Sequence, residues 1–401
     1  MPRSRYARSK LLRKAVDEFA LIRRYFVRDS AADDIRAGIV VGIGDDGAVL
    51  RPPPGKDLVA VVDTLVEAVH FPEAFDAADL GFRVVAVNLS DIAAMGAEAR
   101  WMTLALTLRS ADEAWLAGFA EGLRTAADPH GVMLVGGDTT SGERIVVTVN
   151  VTGCVETGAA IPRSGARIGD TVYVSGTVGD AAAGLALLND AVVNSRPASE
   201  SSRPVAEAAV ADSTSGSDGS ADVIATTYSG SGRSADTAAR PYSRPARSAD
   251  VTAANDSGAE HSDEPAATGY LISRFRRPTA RLALGRALAG VASAAIDISD
   301  GLYGDLAKLL EASGVGAEID VGRLPLSLAL TDSFDPATAR RFALSGGDDY
   351  ELCFTASGPV DAEIGGVPVT AIGRVTGVPG IVVTENGKLV PYEDRGYVHF
   401  R

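Results

Sequence analysis

VNLSDIAAMGA, residues Val87–Ala97, follows LGFRVVA at 80–86 and decides how the chain is read. Apolar side chains fall on nearly every face of one helix of about four turns, the pattern of a helix packed on all sides. Yet Asp91 stands in its middle, three residues after Asn88 and on the same face. No Lys or Arg lies one turn away. A buried carboxylate is costly unless it is paired or binds a metal, so the rest of the chain must supply what meets Asp91.

The 401 residues are enough for two domains with sizeable cores. A hydrophobic content of 46% and a charged content of 22% describe ordinary soluble protein. The net charge of −14 excludes a general nucleic-acid surface but leaves nucleotides, which metal ions can hold. Cys154 and Cys353 have neither CxxC spacing nor an adjacent His, so structural thiols are expected rather than a disulfide or a zinc site. No apolar run reaches the ~18 residues of a membrane span. Met1–Lys14 is basic without a following apolar core, so a cytoplasmic protein is expected. Residues 1–16 read as a solvated basic tail rather than a nucleic-acid arm.

Working outward, the same residue type recurs at the ends of apolar segments. GIVVGIGDDGAVL (38–50) places Asp45 and Asp46 on a glycine loop. Its order does not fit a dinucleotide fingerprint, and two adjacent carboxylates on a mobile turn suit a divalent cation or a plain Asp-Gly turn. Leu58–Val62 reads as a strand ending at Asp63, followed by His70, a lone histidine of a kind that more often fills a structural role. Trp101–Leu108 is a strand, and Ser110–Ala127 a helix with Ser110 as N-cap. Gly131–Val135 runs into Gly136-Gly137-Asp138, where backbone N–H groups can approach a phosphate and the Asp can hold its cation. Glu143–Cys154 alternates as a strand that closes a first domain.

The second half opens at Arg163 and Gly169-Asp170, then a strand at Thr171–Ser175 and a small-residue helix over 176–188. From about 194 to 267 Ser, Ala, Asp, Arg, Gly and Pro dominate, and a disordered insertion is expected. AAIDISDGL (294–302) delivers Asp297 and Asp300, with Ser299 and Asp300 at a helix N-terminus suited to an anion or a metal phosphate. LSGGDDYELCFT (344–355) is a turn through Asp348 and Asp349 followed by a strand.

Asp45, Asp46, Asp63, Asp91, Asp138, Asp297 and Asp300 thus form an oxygen-only constellation without Cys or His in ligand spacing. That disfavours zinc and copper and points to magnesium. Magnesium shares its shell with water and substrate phosphates, so ATP is implied. Neither the P-loop pattern nor the protein-kinase signature set is present.

GIGDDGAVL, VDTLVEAVHF, VNLSDIAAMGA, GGDTTSG, RSGARIGD, IDISDGL and SGGDDYELCF, in that order, resemble the thiamine-monophosphate kinase family of the aminoimidazole-ribonucleotide-synthetase-like ATP-binding superfamily. The resemblance covers about 17–190 and 268–401. It implies an α/β (α+β) fold of two domains, mixed sheets flanked by helices. These are an ATP/Mg-binding and dimerisation domain at 17–155 and a C-terminal α/β domain at 156–401 that carries the insertion. It implies direct phosphoryl transfer from ATP to thiamine monophosphate by a homodimer. Asp46, Asp63, Asp91, Asp138, Asp297 and Asp300 would hold several Mg²⁺, with Asp46, Asp91, Asp138 and Asp300 central to catalysis. Gly137, Asp138, Arg163 and Ser299 would contact ATP, and His70, Asp348 and Tyr397 the thiamine phosphate.

The chain departs from the family pattern in carrying Val61 and Val62 where Ser or Thr is usual, GGDDYE for GGEDYE, and a far longer insertion. The alternatives are another ATP-using enzyme of the superfamily or a Mg-nucleotide-binding regulator without catalysis. A selenophosphate synthetase would need a reactive Cys near the glycine loop, and no Cys precedes Cys154.

Overall fold

The computed structural model describes residues 18–27, 37–195, 266–392 and 396. The basic tail, Tyr397 and residues 196–265 of the expected insertion lie outside the described residues. The edges of the stretch expected at 194–267 are helical, since one helix runs to Ser195 and the next begins at Ala266.

In chain order the first half gives α1 (Glu18–Tyr25), β1 (Ile39–Val41), β2 (Val49–Leu50), β3 (Lys56–Val66), α2 (Ala77–Ala94), β4 (Glu98–Leu108), α3 (Glu113–Ala127), β5 (Met133–Ser141) and β6 (Val146–Glu156). The second half begins with β7 (Thr171–Ser175), α4 (Asp180–Ser195), α5 (Ala266–Arg276), α6 (Leu282–Leu288), β8 (Ala294–Asp297), α7 (Leu302–Ser313) and β9 (Gly316–Asp320). It ends with α8 (Leu328–Ser333), α9 (Pro336–Ser345), β10 (Leu352–Ala356), β11 (Glu363–Ile364), β12 (Val367–Thr376), β13 (Gly380–Glu385) and β14 (Lys388–Leu389).

The first sheet has the order β3-β6-β4-β5, with β4 and β5 parallel and the other pairs antiparallel. Alternation along β6 sets its two faces: Val147, Val149 and Val151 are fully buried, while Thr148 and Asn150 are only half-buried. The other face leaves Leu58 and Val62 of β3 exposed. Toward the glycine loop that face carries a small cluster of Trp101, Met133, Val135 and Cys154, packed under Ile39 and Leu50 of β1 and β2.

The second sheet has the order β14-β13-β9-β12-β7-β10-β8, with β11 paired to β12 and β9 parallel to β13. Both cysteines are free and buried, as their spacing suggested.

Helix α2 joins the two halves. Asp76 caps it by accepting the N–H groups of Ala78 (2.8 Å) and Asp79 (3.0 Å), and 18 residues follow, about five turns. It packs against β3 and β6 of the first sheet and β8 of the second, which brings Asp91 to Asp297. Its close neighbour is α3. A Cβ added to Gly122 of α3 would lie 1.8 Å from the carbonyl oxygen of Ala78, so the two backbones meet only because that residue is glycine.

Two local readings are corrected. Asp112, not Ser110, caps α3, accepting from Ala114 (2.9 Å) and Trp115 (3.1 Å), and the helix starts at Glu113. Strand β3 does not end at Asp63 but continues to Val66, held by β6 along its whole length.

Candidate active site

Register decides which aspartates can meet. Asp63 of β3 is level with Val149 of β6 and Leu104 of β4, so its side chain shares the face that α2 covers. Asp91 comes from α2, Asp297 from the end of β8, Asp300 from the turn before α7 and Asp305 from the first turn of α7. Burial pushes the Asp91 carboxyl up to about 7. The neighbouring Asp63 adds to that rise, Arg163 opposes it and Asp305 adds a little more. Asp297 is raised well above the usual carboxylate range by burial, then by Asp91 and Asp305. Asp63 is raised by burial and then by Asp300. These acids stand in one another's fields, which is the electrostatic condition that a divalent cation relieves.

Among the described residues no group of three or more His, Cys, Asp or Glu is arranged to hold a metal ion. The donors that Asp63, Asp91, Asp297 and Asp300 offer are all carboxylate oxygens, the type that Mg²⁺ takes together with water and phosphate. The carbonyl of Val61 already accepts the Asn150 side-chain amide at 2.6 Å.

The turn before α7 differs from the expected anion site. Oδ2 of Asp305 accepts the backbone N–H groups of both Ser299 and Asp300 at 2.9 Å, and Gly301 at the cap has no side chain to cap the helix itself. Lys308 binds Oδ2 of Asp300 (2.5 Å) and Oδ1 of Asp305 (2.8 Å). Asp300 is therefore held at its backbone by Asp305 and at its side chain by Lys308, and the N–H groups of Ser299 and Asp300 are already bonded.

The other two expected ligands are not brought into this cluster. Asp138 is level with Ala105, Thr148 and Thr64, one position off the Asp63 row, and so lies on the open face of the sheet. Asp46 is exposed on its turn, with its N–H on Oδ1 of Asp45 at 2.9 Å. Gly137 precedes Asp138 in β5, and exposed Arg163 lies in the loop before β7, near enough to Asp91 to lower its pKa.

Next to the carboxylates is a cavity of about 1010 Å³, lined among others by Asp63, His70, Phe71, Ser299, Asp300, Asp348 and Tyr350. The turn carrying His70 has Ala68 at φ +60 and is anchored by buried Glu67, which pairs with Arg109 and accepts the Ile145 N–H at 3.1 Å. Nδ1 of His70 accepts the Val66 N–H at 3.0 Å, so the neutral ring carries its proton on Nε2.

Across the cavity, Asp348 (φ +71) and Tyr350 (φ +53) adopt left-handed backbone, and Asp348 accepts a bond from Arg83. The N–H groups of Asp348 and Tyr350 bind the carbonyls of Ser299 and Ile298, both at 2.9 Å, which fastens this turn to the segment bearing Asp300. Asp349 is fully buried and accepts the N–H groups of Gly179 (2.6 Å) and Ala181 (3.2 Å) at the start of α4. Burial pushes its carboxyl up to about 8.

Arg83, Asp305, Lys308 and Tyr350 escaped the sequence reading. For Arg83 a signal was present, an arginine inside an apolar helix two turns before Asp91. Nothing local distinguishes the others.

A family model described as "AIR synthase related protein, N-terminal domain" matches residues 44–155, and its C-terminal counterpart matches 248–385. The chain is 39% identical over 393 residues to the thiamine-monophosphate kinase of Escherichia coli K12, covering 96% of this chain and 99% of that one. It is 31% identical to that of Bacillus subtilis 168, covering 96% and 100%. Among solved structures, the thiamine-monophosphate kinase of Stenotrophomonas maltophilia K279a aligns with a TM-score of 0.69 at 36% identity, over 93% of this chain and 98% of that one. A structure described as "AaThiL complexed with AMPPCP and TMP" aligns with a TM-score of 0.61 at 28% identity, over 86% and 90%.

Proposed function

The chain belongs to the thiamine-monophosphate kinase family and is a thiamine-phosphate kinase, and from that premise we propose that it transfers the γ-phosphoryl group of ATP directly, in line, to the phosphate of thiamine monophosphate with the help of several Mg²⁺ ions. The observation that carries this reading is the juxtaposition of the Asp63, Asp91, Asp297 and Asp300 carboxylates with a cavity that also presents His70 and Asp348. The complex of a relative with AMPPCP and TMP supports the two substrates.

On this reading Asp46, Asp63, Asp91, Asp138, Asp297 and Asp300 would hold Mg²⁺, which would supply positive charge against the phosphates. Gly137, Asp138, Arg163 and Ser299 contact the nucleotide. His70 and Asp348, with Tyr397, hold the thiamine phosphate. The acceptor oxygen needs no strong base, because a phosphate's second pKa is about 6 and it is ionised near neutrality. The work left to the chain is alignment and relief of repulsion between two anions. Apolar α2 fixes Asp91, and Lys308 with Asp305 fixes the Asp300 turn.

The same reading includes a homodimer formed through the open face of the first sheet, where Leu58 and Val62 are exposed, and a cytoplasmic location. Among the described residues no helix is long and apolar enough to cross a membrane.

Purified protein with ATP, Mg²⁺ and thiamine monophosphate should form thiamine diphosphate and ADP. ATP turnover with another acceptor and none with this one would overturn the assignment.

A further inference from the structure

Arg83 lies on α2 two turns before Asp91, and its side chain is 1% exposed. Its guanidinium sits 4.3 Å from the ring centroid of Phe275 and 5.8 Å from that of Tyr350. One nitrogen donates to the Phe275 carbonyl and another to Oδ1 of Asp348. The Tyr350 hydroxyl donates to that same oxygen at 3.1 Å. Oδ1 is thus engaged twice, while the Asp348 side chain stays 27% exposed on the cavity wall, so Oδ2 is the oxygen offered to a ligand.

We propose that Arg83 is a positioning residue for substrate binding, which holds Asp348 so that its second oxygen faces the cationic thiazolium ring of thiamine monophosphate. The inference rests on the kinase reading above. Two further observations support it. Asp348 and Tyr350 both carry positive φ, a backbone state that persists only where the surroundings over-determine it. Arg83 also ties three segments together, since Phe275 belongs to α5, Asp348 to the turn after α9, and Arg83 itself to the helix that bears Asp91. A guanidinium fork beside an aromatic ring can bind two acceptors in fixed directions, which an ammonium at the same place cannot do. Asp348 is one methylene shorter than the Glu usual in the family, so its reach depends on what holds it.

The test compares wild type, R83K, R83M, D348N and the double variant R83K/D348N by KM for thiamine monophosphate and for ATP, with kcat and melting temperature. R83M should raise KM for thiamine monophosphate at least tenfold and leave KM for ATP within twofold, with R83K between it and wild type. In the D348N background R83K should add nothing, because Arg83 acts through that carboxylate. An unchanged KM for thiamine monophosphate, an equal rise in both KM values, or additive effects in the double variant would overturn the proposal. If R83M does not fold, R83K and the double variant decide alone. A wild-type enzyme that turns over ATP but leaves thiamine monophosphate untouched sinks the kinase reading and this inference with it. An active wild type with an indifferent R83K sinks only the inference.

Discussion

The backbone N–H of Val66 donates to Nδ1 of His70 at 3.0 Å, so the neutral imidazole carries its own donor on Nε2. If that donor binds the substrate phosphate, the two amide replacements should behave differently. His70→Gln places a donor near the Nε2 position, while His70→Asn restores only the Nδ1 side. A hydrogen bond to a charged group contributes about 1.5–3 kcal/mol, and each 1.4 kcal/mol is about tenfold. His70→Asn should raise KM for thiamine monophosphate about tenfold or more, and His70→Gln clearly less. Steady-state kinetics check this; the reverse order would mean the ring contacts substrate through an acceptor.

Asp91→Asn tests the carboxylate cluster. Burial and then its neighbours Asp63 and Asp305 raise its pKa, so removing the charge relieves both desolvation and repulsion in the metal-free protein. Without Mg²⁺ the variant should melt at or above the wild-type temperature. Turnover should fall about 10²-fold or more, the scale seen when a preorganised electrostatic contact is deleted. A fully active Asp91→Asn would remove Asp91 from the proposed metal set.

Asp349 predicts a pH dependence. Its folded pKa is raised from 3.8 to about 8 by burial, so between those values the native state binds more protons than the unfolded chain. Its contribution to stability is fully present below about pH 4 and is lost as pH rises toward 8. The slope for one proton is at most about 1.4 kcal/mol per pH unit. Asp349→Asn cannot titrate, so its melting temperature should fall less steeply than that of wild type between pH 5 and pH 9. Parallel curves by calorimetry would show that this carboxyl is not perturbed.

The fold was legible where local pattern sufficed. The all-round apolar run of α2 and its misplaced Asp91 announced a buried helix at a site, and Asp63, Asp297 and Asp300 were found by their places at the ends of apolar runs. What the sequence could not carry was pairing across distance. Arg83 and Asp348 are 265 residues apart, and only the packed fold brings them together. Asp138 illustrates a second limit. Its face depends on the pairing of β5 with β4, where the register shifts between Met102 and Thr103, and a one-residue shift reverses which face a side chain takes. The Ser110 cap failed for a smaller reason, since the carboxylate of Asp112 takes the N–H groups of Ala114 and Trp115 and starts the helix two residues later.

Two glycines of one helix should respond to the same substitution with opposite signs. Gly122 and Gly118 both lie inside α3, and alanine is favoured over glycine in a helix interior by roughly 0.5–1 kcal/mol. At Gly118 a new Cβ would come no nearer than 3.5 Å to the Ala77 side chain, an ordinary contact, so Gly118→Ala should stabilise by up to about 1 kcal/mol. At Gly122 the Cβ would fall 1.8 Å from the Ala78 carbonyl oxygen, and backbone cannot rotate away as a side chain can. Helix α2 must then move, at a cost of about 1–3 kcal/mol or more for overpacking. Because α2 carries both Asp91 and Arg83, Gly122→Ala should also lower kcat at temperatures where it remains folded, whereas Gly118→Ala should not. Melting temperatures and turnover measured side by side test the pair; equal effects at both positions would show that the α2–α3 approach is looser than the structure has it.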